Sequence, residues 1–250
     1  MSELRVLPDP EALSHAAADT FLSAATEAIR DRALFSVALA GGSTPRRAYE
    51  IIAQTWRAAP GGPLDWSRVH LFWGDERHVP PDHPDSNFRM ANDVLIRRVP
   101  IPPGNVHPIP SAFPDAGEAA DRYQEELRQF FKLRAGQVPR LDLILLGMGA
   151  DGHVASLFPG TEALEITDRL VAANRVERLR SWRITLTLPV LNHAAKLVAM
   201  VAGREKSETL RRVIDGPHTP PLLPAERLQP DSGTLLWLVD EEAAWWAAAK

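Results

Sequence analysis

The chain has 250 residues, of which 45% are hydrophobic, a formal net charge of -4 and no cysteine. This length is enough for one sizeable core, so we expect a single domain over residues 1–250. The lack of cysteine excludes disulfides, thiolate metal sites and a cysteine nucleophile. Acidic and basic residues are mixed along the sequence, which argues against a nucleic-acid partner.

The sequence contains no segment typical of export or of a membrane span. Residues 1–9 lack the basic and apolar regions of a secretory signal, so we expect a cytoplasmic protein. The most apolar stretches, at residues 141–148 and 194–202, have the length of strands and are too short to cross a bilayer of roughly 30 Å. We expect no membrane association, and a monomer or a weak homo-oligomer.

Predicted strands and helices alternate along the chain. Asp9 followed by Pro10 is typical of a helix start, and this helix is predicted to run to about Arg30. An apolar strand at residues 35–40 leads into the turn Gly41-Gly42-Ser43-Thr44-Pro45. Further strands are predicted at residues 69–73, 141–146, 184–188, 197–201 and 235–239, and further helices at residues 116–133, 205–214 and 241–249.

This alternation predicts an α/β fold, namely a Rossmann-like, doubly wound and mostly parallel sheet with helices on both faces. In such sheets ligands bind beyond the carboxyl ends of the strands. Glycine-containing polar segments begin at Gly41, Gly74 and Gly147, each directly after a predicted strand. We therefore expect these three segments to meet at one edge of the sheet.

The turn at residues 41–45 has the features of an anion-binding helix start. Exposed N–H groups in such a turn bind phosphate well, and Gly42, Ser43 and Thr44 would supply them, with Thr44 as the predicted N-cap. The alternative is an ordinary strand-to-helix turn. The turn matches neither a P-loop nor a dinucleotide fingerprint, so a nucleotide is not indicated.

The segment that begins at Gly74 places Asp75, Glu76 and Arg77 in a polar loop. A guanidinium can clamp a phosphate with two hydrogen bonds, and Asp75 can orient a substrate hydroxyl or a catalytic partner. The alternative is a solvated surface cluster of ion pairs. The spacing of His78, Asp82 and His83 matches no trusted zinc pattern, and we expect no metal.

The segment at residues 147–156 is the most informative. His153 lies among three glycines after a buried strand, and an imidazole, which titrates near ~6.5 in water, suits a general base. Asp151 is placed to fix its tautomer or to hold a substrate hydroxyl; alternatively, His153 is structural and caps a following helix. Ser43, Ser86 and Ser156 lack a nucleophile-elbow motif, so water activated by His153 is the simpler hypothesis. Remaining candidates for the site are Arg183, Asn192 and Lys206.

Taken in order, the segments at residues 41–45, 74–77, 86–87, 147–160, 183–192 and 203–206 resemble the 6-phosphogluconolactonase family across nearly the whole chain. The resemblance implies hydrolysis of 6-phospho-D-glucono-1,5-lactone to 6-phosphogluconate in the oxidative pentose phosphate pathway, without metal or organic cofactor. It implies that His153 is the general base and that Asp151 assists it. The resemblance further implies that the phosphate is held by Arg77, Lys206 and backbone groups of Gly42, Ser43 and Thr44, and that sugar hydroxyls or the reacting carbonyl are positioned by Asp75, Asp151, Asn87 and Arg183.

Two rival functions are separated by particular residues. The related glucosamine-6-phosphate deaminases carry a glutamate five residues after the histidine, where this chain has Phe158, and a tyrosine where it has Arg77. A non-catalytic sugar-phosphate-binding regulator could dispense with His153 and would usually need an output module, which the sequence does not offer. Both comparisons favour lactone hydrolysis.

Overall fold

The computed structural model describes residues 2–58 and 64–249, and nine strands are found in them. Six strands form the large sheet, in the spatial order β1-β9-β8-β5-β2-β3, and three form a small sheet, in the order β4-β7-β6. In chain order the strands are β1 (Ser2–Leu7), β2 (Phe35–Leu39), β3 (Val69–Trp73), β4 (Asp75–Arg77), β5 (Leu143–Gly147), β6 (Val171–Val176), β7 (Ser181–Leu186), β8 (Lys196–Val201) and β9 (Thr234–Asp240).

Every strand pairing in the large sheet is parallel. The strands at its centre are largely apolar, as expected where both faces of a sheet are covered; β2, for example, is buried at every position, including Ser36. The predicted Rossmann-like α/β fold with a mostly parallel sheet is therefore confirmed. Neighbours β5, β2 and β3 point their carboxyl ends to the same edge, and the three polar segments follow there, as predicted.

Six α-helices complete the described fold: α1 (Pro10–Arg32), α2 (Ser43–Ala58), α3 (Asn87–Val94), α4 (Ala116–Phe131), α5 (Leu188–Asn192) and α6 (Ser207–Asp215). The first begins as the sequence predicted, because the Asp9 carboxylate accepts a hydrogen bond from the Ala12 N–H at 2.7 Å. It ends at Ala33, which adopts the left-handed conformation (φ 57°). Helices α1 and α2 pack on each other and on the large sheet, and α4 packs on β6 and β7.

The small antiparallel sheet was not predicted. Residues 75–77, expected in a loop, form β4, which pairs with β7. A strand of three residues is too short to show an alternating pattern, so its existence depends on its partner rather than on its own sequence. The sheet carries Arg77 and Arg183 to the site.

Two predicted helices near the end of the chain were wrong in extent or type. The helix predicted from residue 205 starts with the 3-10 turn Arg204–Lys206, and α6 follows. Residues 241–249 form turns and the 3-10 helix Trp245–Ala249 instead of an α-helix. The buried Asp240 side chain accepts hydrogen bonds from Gly203 and Ala243 N–H groups, which fixes a turn where β9 ends.

Two further observations concern apolar surface. The Trp246 side chain is buried and Trp245 is 46% exposed. Within the described residues, no helix is both long enough and apolar enough to cross a membrane.

Candidate active site

A cavity of about 440 Å³ opens at the carboxyl edge of the large sheet. It is formed by the turn after β2, the chain after β3 and the segment after β5, together with β7, the turn between β6 and β7, and the 3-10 turn before α6. All of the predicted site residues except Asp151 line it: Gly42, Ser43, Thr44, Asp75, Arg77, Asn87, His153, Arg183 and Lys206. The fold thus brings together residues from five separate parts of the chain.

The turn after β2 presents the start of α2 to this cavity. Gly42 adopts φ +103°, a conformation that residues with a side chain rarely adopt, and the helix begins at Ser43. The prediction that Thr44 is the N-cap was therefore wrong, since Thr44 lies in the first turn of the helix. The expectation of an exposed helix start at the cavity wall is met, because Gly42, Ser43 and Thr44 all line it.

Tyr49 holds the base of this turn. Its hydroxyl, which is fully buried, donates to the Ala40 carbonyl at 3.0 Å and accepts from the Ala40 N–H at 2.8 Å. Ala40 is the residue between β2 and the turn, so both of its backbone groups are satisfied by a side chain of α2. The turn is thereby tied to the helix whose first N–H groups it exposes.

Arg77 and Arg183 are directly opposite each other in the antiparallel pair β4–β7. Both line the cavity. The Arg77 guanidinium donates to the Asp85 carbonyl, whereas Nε of Arg183 is buried and has no hydrogen-bond partner among the described residues. Burial first, and then the charge of Arg77, lower the pKa of Arg183. Two like charges opposite each other are unfavourable, so this arrangement favours an anion between them.

Glu76 has a structural function instead of lining the cavity. Its carboxylate accepts hydrogen bonds at 2.8 Å from the N–H groups of Arg77, Asn87 and Phe88. Burial raises the pKa of this carboxyl, and the backbone hydrogen bonds oppose that rise. Glu76 therefore fixes the start of α3 against β4, which places Asn87 at the site.

Asp75 joins three parts of the site. It is 8% exposed, and its carboxylate accepts from the Ser156 hydroxyl at 2.6 Å. The Asn87 amide donates to the Asp75 carbonyl at 2.9 Å and approaches its carboxylate at 3.4 Å. Ser156 was considered from sequence as a nucleophile, and the structure places it as a hydrogen-bond donor to Asp75.

His153 and Asp151 form a hydrogen-bonded pair. Nδ1 of His153 lies 2.5 Å from Oδ1 of Asp151. Burial would raise the pKa of Asp151, but the hydrogen bond from His153, aided by charge from His153 and Arg178, lowers it to about 2. The carboxylate is thus ionised and can only accept, so Nδ1 carries the proton and Nε2 is left as the basic nitrogen. In the neutral imidazole this tautomer leaves Nε2 able to accept a proton.

Gly149 makes room for the imidazole. A Cβ at this position would lie 2.1 Å from Nδ1 of His153 and 2.6 Å from Oδ1 of Asp151. The segment around His153 forms turns and short bridges, among them Met148 with Val154, so His153 does not cap a following helix. The glycine is needed because the ring lies against the backbone.

Phe158 and Arg178 complete the surroundings of His153. The Phe158 ring stacks on the imidazole with centroids 4.2 Å apart. Arg178 donates to Oδ2 of Asp151 and its guanidinium carbon lies 5.0 Å from the Phe158 ring centroid. Sequence reasoning missed Arg178, since it stands in a charged turn with Arg175 and Arg180 and nothing local distinguishes the three.

The remaining candidates divide between the site and the rest of the molecule. Lys206 ends the 3-10 turn before α6 and lines the cavity. Asn192 does not line it, because its amide donates to the Arg227 carbonyl and accepts from the Gln229 N–H. Nε2 of His78 lies 2.7 Å from the Phe113 carbonyl, and no group of three or more metal-ligating side chains occurs in the described residues.

The molecule is an α/β protein whose cavity combines cationic side chains and an exposed helix start with a histidine that a carboxylate orients. Residues 8–237 match the family model described as glucosamine-6-phosphate isomerases/6-phosphogluconolactonase. The chain belongs to this family.

Relatives and solved structures agree with this assignment. The chain is 43% identical to a 6-phosphogluconolactonase of Synechocystis, over 87% of each chain, and 41% identical to one of Nostoc, over 96% of each. The structure of 6-phosphogluconolactonase from Trypanosoma brucei is similar, with a TM-score of 0.86, 28% identity and 98% coverage of each chain. A monomeric glucosamine-6-phosphate deaminase, at 20% identity and a TM-score of 0.79, shares the fold.

Proposed function

We propose that this protein hydrolyses 6-phospho-D-glucono-1,5-lactone to 6-phospho-D-gluconate, a step of the oxidative pentose phosphate pathway. The observation that carries the proposal is that one cavity holds both a cationic cluster and His153 paired with Asp151. The first suits a phosphate and the second suits activation of water. Relatives named 6-phosphogluconolactonase, which match over most of their length, support the same substrate.

The phosphate of the lactone would bind among Arg77, Arg183, Lys206 and the helix start at Gly42, Ser43 and Thr44. These groups all line the cavity, and together they offer charged side chains and backbone N–H groups to a dianion. Nε of Arg183 is buried without a hydrogen-bond partner among the described residues and lies on the strand opposite Arg77. This supports assigning Arg183 to the phosphate instead of to the sugar hydroxyls or the carbonyl. Binding the phosphate, which is remote from the bond that breaks, orients the lactone for reaction.

His153 would act as the general base. With the Nδ1 proton held by Asp151, Nε2 accepts a proton from water as the water oxygen attacks C1 of the lactone. The resulting tetrahedral intermediate collapses by breaking the bond between C1 and the ring oxygen. The proton on His153 then passes to that ring oxygen, so the product is an open-chain acid and the histidine returns to its starting state.

Asp75 and Asn87 would position sugar hydroxyls from the cavity wall. Asp75 already accepts a hydrogen bond from Ser156 at 2.6 Å, so its carboxylate is fixed before the substrate arrives. A fixed acceptor loses less entropy on binding than a mobile one. The arrangement therefore favours one orientation of the sugar.

Assays with two substrates test the proposal. Freshly generated lactone, corrected for spontaneous opening, should be hydrolysed far faster with the protein than without it. Glucosamine 6-phosphate should yield no ammonia, because Phe158 stacks on His153 at the position where the deaminases carry a glutamate. Ammonia release without lactone hydrolysis would contradict the proposed function.

A further inference from the structure

Arg178 lies at the tip of the hairpin formed by β6 and β7. Residues Glu177–Leu179 form a 3-10 turn, and Arg180 adopts the left-handed conformation (φ 48°) that closes it. The turn lies over the cavity, since Arg178 and Leu179 both line it. The Arg178 side chain is 56% exposed, so the core of the protein does not depend on it.

Arg178 contacts two side chains that contact His153, namely Asp151 and Phe158. Its guanidinium donates to Oδ2 of Asp151, whose Oδ1 lies 2.5 Å from Nδ1 of His153. It also lies against the Phe158 ring, which stacks on the His153 imidazole at a centroid distance of 4.2 Å. The four side chains therefore form a closed set of contacts around the base.

The hydrogen bond from Arg178 to Oδ2 of Asp151 has a direct consequence for His153. The other hydrogen bonds to this carboxylate among the described residues come from Nδ1 and the backbone N–H of His153, and both go to Oδ1. Without Arg178 the carboxylate, which is 25% exposed on a turn, can therefore rotate about its side-chain bonds. A guanidinium on the other oxygen fixes the plane of the carboxylate. The orientation of that carboxylate decides which imidazole nitrogen carries the proton.

We propose that Arg178 is a positioning residue that fixes Asp151 against His153 and so keeps the imidazole in the tautomer with its proton on Nδ1. The proposal rests on the proposed function of His153 as the base. The reaction then depends on the hairpin, because a displacement of the β6–β7 tip would release Asp151. Arg178 acts through Asp151 and is not assigned a contact with the substrate.

Arg178→Gln tests this, with Arg175→Gln as the matched control. Arg175 is on the same hairpin and contacts Glu177 and the Trp182 ring. In Arg178→Gln, kcat for the lactone should fall roughly 10- to 100-fold, as for a misplaced catalytic group, while KM stays within about twofold. Arg178→Lys should recover part of the loss because it keeps the charge. Arg175→Gln should behave as the wild type, and thermal midpoints should agree within about 2 °C.

A spectroscopic measurement tests the same proposal without any substrate. In long-range proton–nitrogen spectra of protein with ¹⁵N-labelled histidine, His153 of the wild type and of Arg175→Gln should show one neutral tautomer, with the proton on Nδ1. Arg178→Gln should show a mixture of the two tautomers.

Two results would overturn the proposal: an Arg178→Gln spectrum identical to that of the wild type, or a rise in KM with unchanged kcat, which would make Arg178 a substrate-binding residue. If the wild type fails to open the lactone, the proposed function is wrong, and the tautomer result alone decides the role of Arg178.

Discussion

Arg77 and Arg183 are cross-strand neighbours that present two positive charges to one cavity, and Nε of Arg183 is buried without a hydrogen-bond partner among the described residues. Like charges in this position destabilise a strand pair. Under the proposed function, a phosphate dianion that binds between them would recover the free energy that this repulsion costs the empty protein. The arrangement of the pair therefore supports the proposed phosphate site.

Arg183→Gln should weaken binding of 6-phosphogluconate roughly 10- to 100-fold, the loss expected for a hydrogen bond to a charged group. The empty variant should be no less stable than the wild type, since the repulsion from Arg77 is relieved. Titration calorimetry and thermal unfolding, with and without inorganic phosphate, measure both effects. Arg68→Gln, whose side chain is 55% exposed beside Asp65, serves as the control. An unchanged affinity for 6-phosphogluconate in Arg183→Gln would show that Arg183 does not bind the phosphate.

Gly149→Ala should lower kcat by about 10²-fold, because its Cβ would lie 2.1 Å from Nδ1 of His153 and the ring must move. Circular dichroism should show an unchanged fold. Gly104→Ala is the matched control, since a Cβ there meets nothing within 4 Å. If Gly149→Ala retains wild-type kcat, the close approach of the imidazole to the backbone is not needed for the reaction.

Much of this site follows from local sequence, because a strand followed at once by glycines and polar residues marks a sheet edge. The turn after β2 and the pair Asp151 and His153 were found in this way. The opposition of Arg77 and Arg183 was not, because it depends on the register of β4 against β7, which are distant in the chain. Arg178 was missed for the same reason, because its contact with Asp151 depends on where the hairpin of β6 and β7 lies in the fold.

Tyr49→Phe should destabilise the protein by about 1–3 kcal/mol, because it leaves both backbone groups of the buried Ala40 without their partner. It should also raise KM, since the turn that exposes the start of α2 follows Ala40. Urea unfolding and initial rates measure the two effects. Tyr123→Phe makes a fair comparison: its hydroxyl bonds the Trp73 N–H and carbonyl at the end of β3. If KM in Tyr49→Phe equals that of the wild type, the hydrogen bonds between Tyr49 and Ala40 do not contribute to substrate binding.

His70→Phe should change how stability depends on pH. Burial first, and then the charge of His107, lower the pKa of His70 to about 4, whereas an unfolded histidine titrates near ~6.5. Between these values the unfolded state binds more protons, so the wild type loses stability as pH falls from about 6.5 to 4. The phenylalanine variant should lose less over the same range, because it has no imidazole that must bind a proton on unfolding. Its ring can still pack against Phe130 and so keep the core filled. Urea unfolding at pH 7 and pH 4.5 measures the free energy of unfolding of both proteins. An equal loss of stability in the wild type and in His70→Phe would contradict the prediction.

The proposed mechanism requires His153 as the general base, and the variant His153→Ala tests that role. The control is His193→Ala, because His193 lies at the end of α5 and does not line the cavity. The measurement is the initial rate of lactone opening, corrected for the spontaneous reaction, together with the affinity for 6-phosphogluconate. We predict a loss of about 10² to 10⁴-fold in kcat for His153→Ala with affinity within about threefold of the wild type. A variant that opens the lactone at the wild-type rate would contradict the assignment of His153 as the base.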